Sequence, residues 1–280
     1  MPALLVAGDL DADADFTVER RYQIVNNHTR SGVTIPEGYE GPPGPPAQFG
    51  VGVIAPYDFV LDRELWRWMP EQVSLRITRT PFVDGPVSVD QADQVSGDDE
   101  IGTAARSLMA GEPQVIAYAC TSGSFVHGIE GERHLRETIR TAAGAAAVTT
   151  SGALLAALEA LGVRRLGIAT PYVREVTDAL LIYLDAAGVE TVSTEQLGLE
   201  GRIWTVPYTT TYRLIKNADR PEAEAIFVSC TNLPTYDLIA SLEQELGKPV
   251  LTANQVTAWG ALRDIGLTAV GPGQAVLGTV

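Results

Sequence analysis

Cys120 and Cys230 are the only cysteines in the 280-residue chain, and both stand in the same setting. An apolar run ends in Cys-Thr, small polar residues follow, and an amphipathic segment comes next. The first copy reads VIAYACTSGSF (115–125) and the second AIFVSCTNLPTYDL (225–238). A thiol with an ordinary pKa near 8.5 can be tuned by its surroundings toward nucleophile, base or acid at neutral pH. A turn that opens a helix adds unpaired backbone N–H groups suited to an anion, and those donors lower a thiol pKa. A single cysteine in such a run is more often a small buried hydrophobe than a catalyst. Two in matched contexts, 110 residues apart, point to shared chemistry. Metal ligation is not indicated, because neither has a second Cys or a His at ligand spacing; His127 is seven residues from Cys120. That histidine reads as a helix-start or surface residue.

The elements that must hold these cysteines follow from periodicity. From Gln48 onward, short apolar runs alternate with segments of helical period, the pattern of βα units around a parallel sheet. Expected strands are FGVGVIAP, VSLRITRT, VIAYACT, AAAVTT, RRLGIATP, VETVSTE, AIFVSC and PVLTAN. Expected helices are DRELWRWM, ERHLRETIRTAAG, GALLAALEALG, VREVTDALLIYLDAAG, TYDLIASLEQELG and VTAWGALRDIG, several closing on a glycine that can take the left-handed conformation. In such a fold ligands sit beyond the carboxyl ends of the strands, where both cysteines fall. Trp66 and Trp68, two apart, cannot share a helix face, so one is expected to pack and the other to lie at an edge. Gly271-Pro272-Gly273 lacks the lysine and spacing of a phosphate loop. Residues 1–47, with RSGVTIPEGYEGPPGPPAQ, read as an irregular Pro/Gly-rich arm.

The net charge of −15, with 35 acidic against 20 basic residues, excludes a phosphate backbone as the natural partner. No apolar run approaches the roughly 20 residues needed to span a bilayer, and the N-terminus lacks a basic n-region and turns acidic within nine residues. The expectation is a cytoplasmic protein with no membrane or nucleic-acid partner, free thiols, and assembly as a homo-oligomer.

The motifs ACTSGSF and SCTNLP, with ATPY (169–172) between them, resemble the aspartate/glutamate racemase superfamily, and within it the maleate cis-trans isomerase branch. The resemblance spans roughly residues 49–280, and DRELWRW is closest to the ectoine-utilisation members. It implies two similar α/β lobes with parallel sheets, an active-site cleft between them, and no cofactor. It also implies one cysteine from each lobe, Cys120 and Cys230, and a substrate carboxylate held by Tyr172 and by Thr121 and Ser122, with Thr231 and Asn232 in the second turn. The related arylmalonate decarboxylases keep only the second cysteine. Amino-acid racemases carry Cys-Thr-His where this chain has Cys230-Thr231-Asn232. The chain departs from the branch in two places: where maleate isomerases have an asparagine after the first strand, Asp58 stands in APYDFVLDRELWRW, and a second asparagine, before the second cysteine's strand, has no clear counterpart in LGLEGRIWTVPY. Ionised aspartate accepts hydrogen bonds and repels a carboxylate, so Asp58 either faces a substrate without a charge there or caps the next helix.

The lobes are expected at 48–147 plus 250–280 and at 148–249. The expected activity is a two-cysteine isomerisation, cis-trans or racemising, of a small carboxylic acid. The alternatives are a decarboxylase of the same superfamily or a non-catalytic carboxylate sensor.

Overall fold

A computed structural model describes residues 48–279; the arm expected at 1–47 lies outside them. Two four-stranded parallel sheets form the framework. The first comprises β1 (Phe49–Ala55), β2 (Val73–Arg79), β3 (Val115–Tyr118) and β4 (Ala146–Thr149); the second, β5 (Arg165–Tyr172), β6 (Glu190–Leu199), β7 (Ala225–Val228) and β8 (Val250–Thr252). The strand orders, β2-β1-β3-β4 and β6-β5-β7-β8, are the same order repeated. The inner strands β3 and β7 are buried at every residue, as parallel strands covered on both faces must be. The edge strand β6 alternates between exposed and half-buried positions along much of its length.

Ten α-helices connect and cover the sheets: α1 (Asp62–Trp68), α2 (Val89–Gln94), α3 (Asp98–Leu108), α4 (Thr121–Phe125), α5 (Gly128–Ala143), α6 (Thr150–Leu161), α7 (Arg174–Ala186), α8 (Tyr208–Ala218), α9 (Tyr236–Leu246) and α10 (Ala253–Asp264), counted among the described residues. Gly144, Gly162 and Gly247 close α5, α6 and α9 with φ of 62°, 68° and 65°, the left-handed cap that glycine takes without steric cost. Helices α2, α3, α4 and α8 are not among the expected elements. None of these described helices is long and apolar enough to cross a membrane.

Two expected boundaries move. The expected boundary puts Val250–Thr252 in the first lobe, but the strand pairs with β7 in the second sheet, Val228 opposite Thr252. Without it the fully buried β7 would be left as an open edge. The boundary at 147 likewise cuts β4, which runs to Thr149 and pairs with β3. After β8 the chain does return to the first sheet, since α10 packs on α1, α6, β3 and β4. One apolar cluster runs through both sheets, from Val51 to Leu277. A second, with Ile54, Ile101, Ile116 and Ile139, fills the other face of the first sheet beneath α3 and α5.

Candidate active site

Cys120 and Cys230 occupy equivalent places. Each stands two residues past the end of the third strand of its sheet, and together they line one buried cavity with Asp58, Thr121, Ser122, Tyr172, Thr231 and Asn232. Pro56, Val87, Gln91 and Ile203 complete the lining. Both thiols are free and buried. The cavity volume of about 30 Å³ leaves room for a few waters at most.

The two turns are held by matching devices. Thr149 caps α6 and Thr252 caps α10, each accepting a backbone N–H with its hydroxyl. Two residues after each cap stands a polar side chain, Ser151 or Asn254. Ser151 reaches the carbonyl of Thr121 (3.5 Å) and shares a hydrogen bond with Ser124 (2.6 Å), which itself donates to the Thr121 carbonyl (2.8 Å). Asn254 Nδ2 donates to the carbonyl of Thr231 (2.8 Å). The residue after each cysteine is thus fixed by the helix that follows the fourth strand of the same sheet. Gly123 is required by close approach, because a Cβ there would collide with the Tyr118 hydroxyl.

The turns differ in what their side chains have left to offer. Thr231 Oγ1 donates across to the carbonyl of Ala119 (3.1 Å), at the end of the other sheet. Asn232 is committed at both ends of its amide: Nδ2 donates to the Asp58 carbonyl (2.9 Å) and Oδ1 accepts from Val60 N–H (3.1 Å). Its backbone N–H points to Cys230 Sγ (3.3 Å). The Thr121 hydroxyl, in contrast, is buried without a partner, and the Ser122 hydroxyl touches Cys120 Sγ at 3.7 Å.

Burial dominates the electrostatics. It raises the Cys120 thiol pKa and pushes that of Cys230 up to about 12; the Asn232 N–H and the Tyr172 hydroxyl favour the Cys230 thiolate without offsetting desolvation. For Cys120 the opposing donors are Gly123 N–H, Ser122 and Tyr118. The donor lowering expected from sequence therefore operates but loses, and at Cys230 it comes from a turn rather than a helix start, since α9 opens only at Tyr236. The Tyr172 hydroxyl accepts from Ser229 (3.4 Å); burial, with Cys230 beside it, holds its pKa well above the ordinary value. Desolvation also raises the Asp58 carboxyl, against the pull of Asn232 and Arg79, and the Asp58 charge opposes ionisation of both cysteines.

Asp58 is not a helix cap. The N-cap of α1 is Leu61, with no side-chain cap bond. His127 stands outside the cavity, paired with Asp93 at 2.8 Å with its side chain half exposed. Trp68 is buried with its indole N–H on Gln274 (2.8 Å), while Trp66 is exposed; Gln274 follows the Gly-Pro-Gly turn, which serves packing. Gln91, Val87 and Ile203 escaped the sequence reading because they reach the cavity from loops and from short α2. Tyr172 has a sequence echo in Tyr57, each following a proline just past its strand core. Tyr57 turns away to stack edge-on with Phe82 at 5.2 Å. Among the described residues no group of three or more His, Cys, Asp or Glu could hold a metal ion.

A family model described as arylmalonate decarboxylase matches residues 86–277. The maleate isomerase of Nocardia farcinica is 31% identical over 58% of this chain and 67% of its own length. The arylmalonate decarboxylase of Bordetella bronchiseptica is 32% identical over 57% of this chain and 68% of its own. A solved structure of a mutant Nocardia farcinica maleate cis-trans isomerase, with a covalently bound succinylcysteine intermediate, shares the fold with a TM-score of 0.76 at 22% identity, covering 82% of this chain and 98% of that one.

Proposed function

The chain belongs to the arylmalonate decarboxylase family, and from that premise we propose that it is a cofactor-independent isomerase in which Cys120 and Cys230 act together on a small carboxylic acid. The observation that carries this reading is the convergence of both thiols, from equivalent turns of two sheets, on one buried cavity. A second thiol is what separates isomerisation from decarboxylation. Loss of carbon dioxide leaves one carbanion needing one proton donor, whereas isomerisation makes and then unmakes a change at carbon.

Two routes use the pair. In the first, one thiolate adds to an alkene carbon as the other thiol protonates the neighbouring carbon; the resulting single bond rotates, and loss of that proton with departure of sulfur restores the alkene in the other geometry. The succinylcysteine of the Nocardia protein is the adduct such an addition to maleate gives. In the second, one thiolate removes an α-proton and the opposed thiol returns one to the other face. Burial favours the protonated form of both thiols at rest, so the acid is in place and one sulfur must first pass its proton to water or to the substrate carboxylate before either route begins. Gly123 N–H and Ser122 at Cys120, and Asn232 N–H and Tyr172 at Cys230, stabilise the thiolate that results.

The test is a panel of small mono- and dicarboxylates incubated in deuterated buffer and followed by proton NMR. Expected is geometric isomerisation or deuterium uptake at the α-carbon, reduced at least about 100-fold in Cys120→Ser and in Cys230→Ser separately, with ligand binding kept. Carbon dioxide loss that survives Cys120→Ser would establish the decarboxylase reading instead. Binding without turnover in the wild type would make the protein a sensor.

A further inference from the structure

The asymmetry between the two cysteine turns bears on what the substrate carries. Thr121 Oγ1 lines the cavity, is 1% exposed and has no hydrogen-bond partner. A hydroxyl buried in that state is short of one bond, which costs free energy until a ligand supplies it. Ser122 beside it is occupied only by the long contact to Cys120 Sγ. On the opposite side the corresponding groups are spent on the protein: Thr231 on Ala119, and the Asn232 amide on Asp58 and Val60. In that turn both side-chain donors are already engaged. Among the described residues the cavity lining contains no Arg, Lys or His, and its one charged group is Asp58.

We propose that the site takes a substrate with a single carboxylate, seated on the Cys120-Thr121-Ser122 turn, whose far end lies toward Asp58 and is uncharged or cationic. This deepens the isomerase reading and rests on its placement of the substrate between the two sulfurs. A second carboxylate would meet the Asp58 carboxylate in a buried setting where the Thr231 and Asn232 donors are already engaged. An ammonium group would instead gain an acceptor, and an alkyl group would lie against Val87 and Ile203.

Three ligands of matched length separate these cases: succinate, butanoate, and 3-aminopropanoate, which sets an ammonium where succinate has its second carboxylate. Binding is measured by isothermal titration calorimetry at pH 7.5 on the full chain and on two near-isosteric variants, Asp58→Asn and Thr121→Val, with circular dichroism confirming that each is folded. In the wild type, butanoate or 3-aminopropanoate is expected to bind at least ten-fold more tightly than succinate. Asp58→Asn should bring that gap within three-fold, and Thr121→Val should weaken the preferred ligand at least ten-fold. Succinate binding as tightly as the others in wild type, a gap that Asp58→Asn leaves unchanged, a ligand indifferent to Thr121→Val, or failure of all three to bind would each overturn the proposal. Turnover enters none of these readouts. The isomerase reading can therefore fail, by chemistry indifferent to both thiols, while the single-carboxylate preference stands, and the reverse also holds.

Discussion

Cys230 has a backbone φ of 87°, one of three non-glycine residues with positive φ among those described. An L-residue held there costs on the order of 1–3 kcal/mol, and such strain persists where the surroundings over-determine it. The surroundings are in evidence: β7 ends two residues earlier, Asn254 holds the next carbonyl, and Asn232 N–H points back at the sulfur. Cys120 has an ordinary extended backbone, φ −138°. Glycine relieves strain only at the first position, so Cys230→Gly should cost at least about 1 kcal/mol less stability than Cys120→Gly in urea unfolding. Equal losses would mean that Cys230 is unstrained. The thiols also carry a pH signature. Burial raises the folded pKa of each above its ordinary value, to about 12 for Cys230. Above about pH 9 the unfolded chain releases thiol protons that the folded chain keeps, so their contribution to stability falls as pH rises. Thiolate absorbance near 240 nm, taken as the difference from the Cys120→Ser/Cys230→Ser double variant, should be smaller at pH 9 in the folded protein than in the urea-unfolded one. Equal absorbance in the two states would overturn the burial argument. At this scale the sequence was informative about placement and silent about commitment. A cysteine at the end of an apolar run reads directly as a strand-end residue, whereas the engagement of the Thr231 and Asn232 side chains with Ala119, Asp58 and Val60 depends on partners more than 100 residues away.

Among the elements, α1 does more than its seven residues suggest. Glu64, 7% exposed, accepts the backbone N–H groups of Thr235 (2.7 Å) and Tyr236 (2.8 Å) and the Asn254 amide (3.0 Å). It thereby caps the start of α9 from the far side of the chain, a favourable place for a carboxylate. Arg67 adds a bond to Asp237 (2.9 Å) and lies over the Tyr236 ring, and Trp68 packs on that ring with centroids 4.6 Å apart. DRELWRW is the clamp on the segment that follows Cys230. Glu64→Ala should cost about 2–6 kcal/mol, since each of the two backbone donors left without an acceptor costs about 1–3 kcal/mol, and should speed alkylation of Cys230 more than of Cys120, as read by mass spectrometry. Desolvation raises the Glu64 carboxyl pKa despite its donors. Because the folded value is the higher one, the stabilising share of Glu64 is complete below the ordinary carboxylate pKa near 4.5 and is lost as pH rises through the folded value. The stability of wild type relative to Glu64→Gln should therefore grow as pH is lowered from 7 toward 4.5, and a gap that shrinks would reverse the sign assigned here. Strands were legible because buried parallel strands are continuous apolar runs. Helix α3 was not, since it opens on three acidic residues and carries glycine in its second turn. Helix α8 opens on consecutive threonines whose branched side chains favour strands.

For the molecule as a whole, the closed state of the cavity is the feature that must change for any substrate to enter. At about 30 Å³ it holds a few waters at most, and a four-carbon acid is larger. Two loops near its mouth come from different sheets: the stretch before α2, which brings Val87, and the stretch after β6, which leads to Ile203. They are joined by one backbone hydrogen bond, Val87 N–H to the Glu200 carbonyl at 2.7 Å. That bond ties segments that share no strand, so it is a natural place for the mouth to open. Proline at position 87 removes the only donor while keeping an apolar side chain, and the residue already follows Pro86. Val87→Pro should raise the rate at which iodoacetamide modifies Cys120 and Cys230 several-fold each, with the global unfolding midpoint shifted little, because a single net hydrogen bond is worth about 0.5–1.5 kcal/mol. A saturating preferred ligand should restore protection in both proteins, as a ligand that fills the cavity covers the sulfurs from either side. Unchanged labelling in Val87→Pro would place the route of entry elsewhere on the molecule and leave the 87–200 bond a feature of loop packing alone.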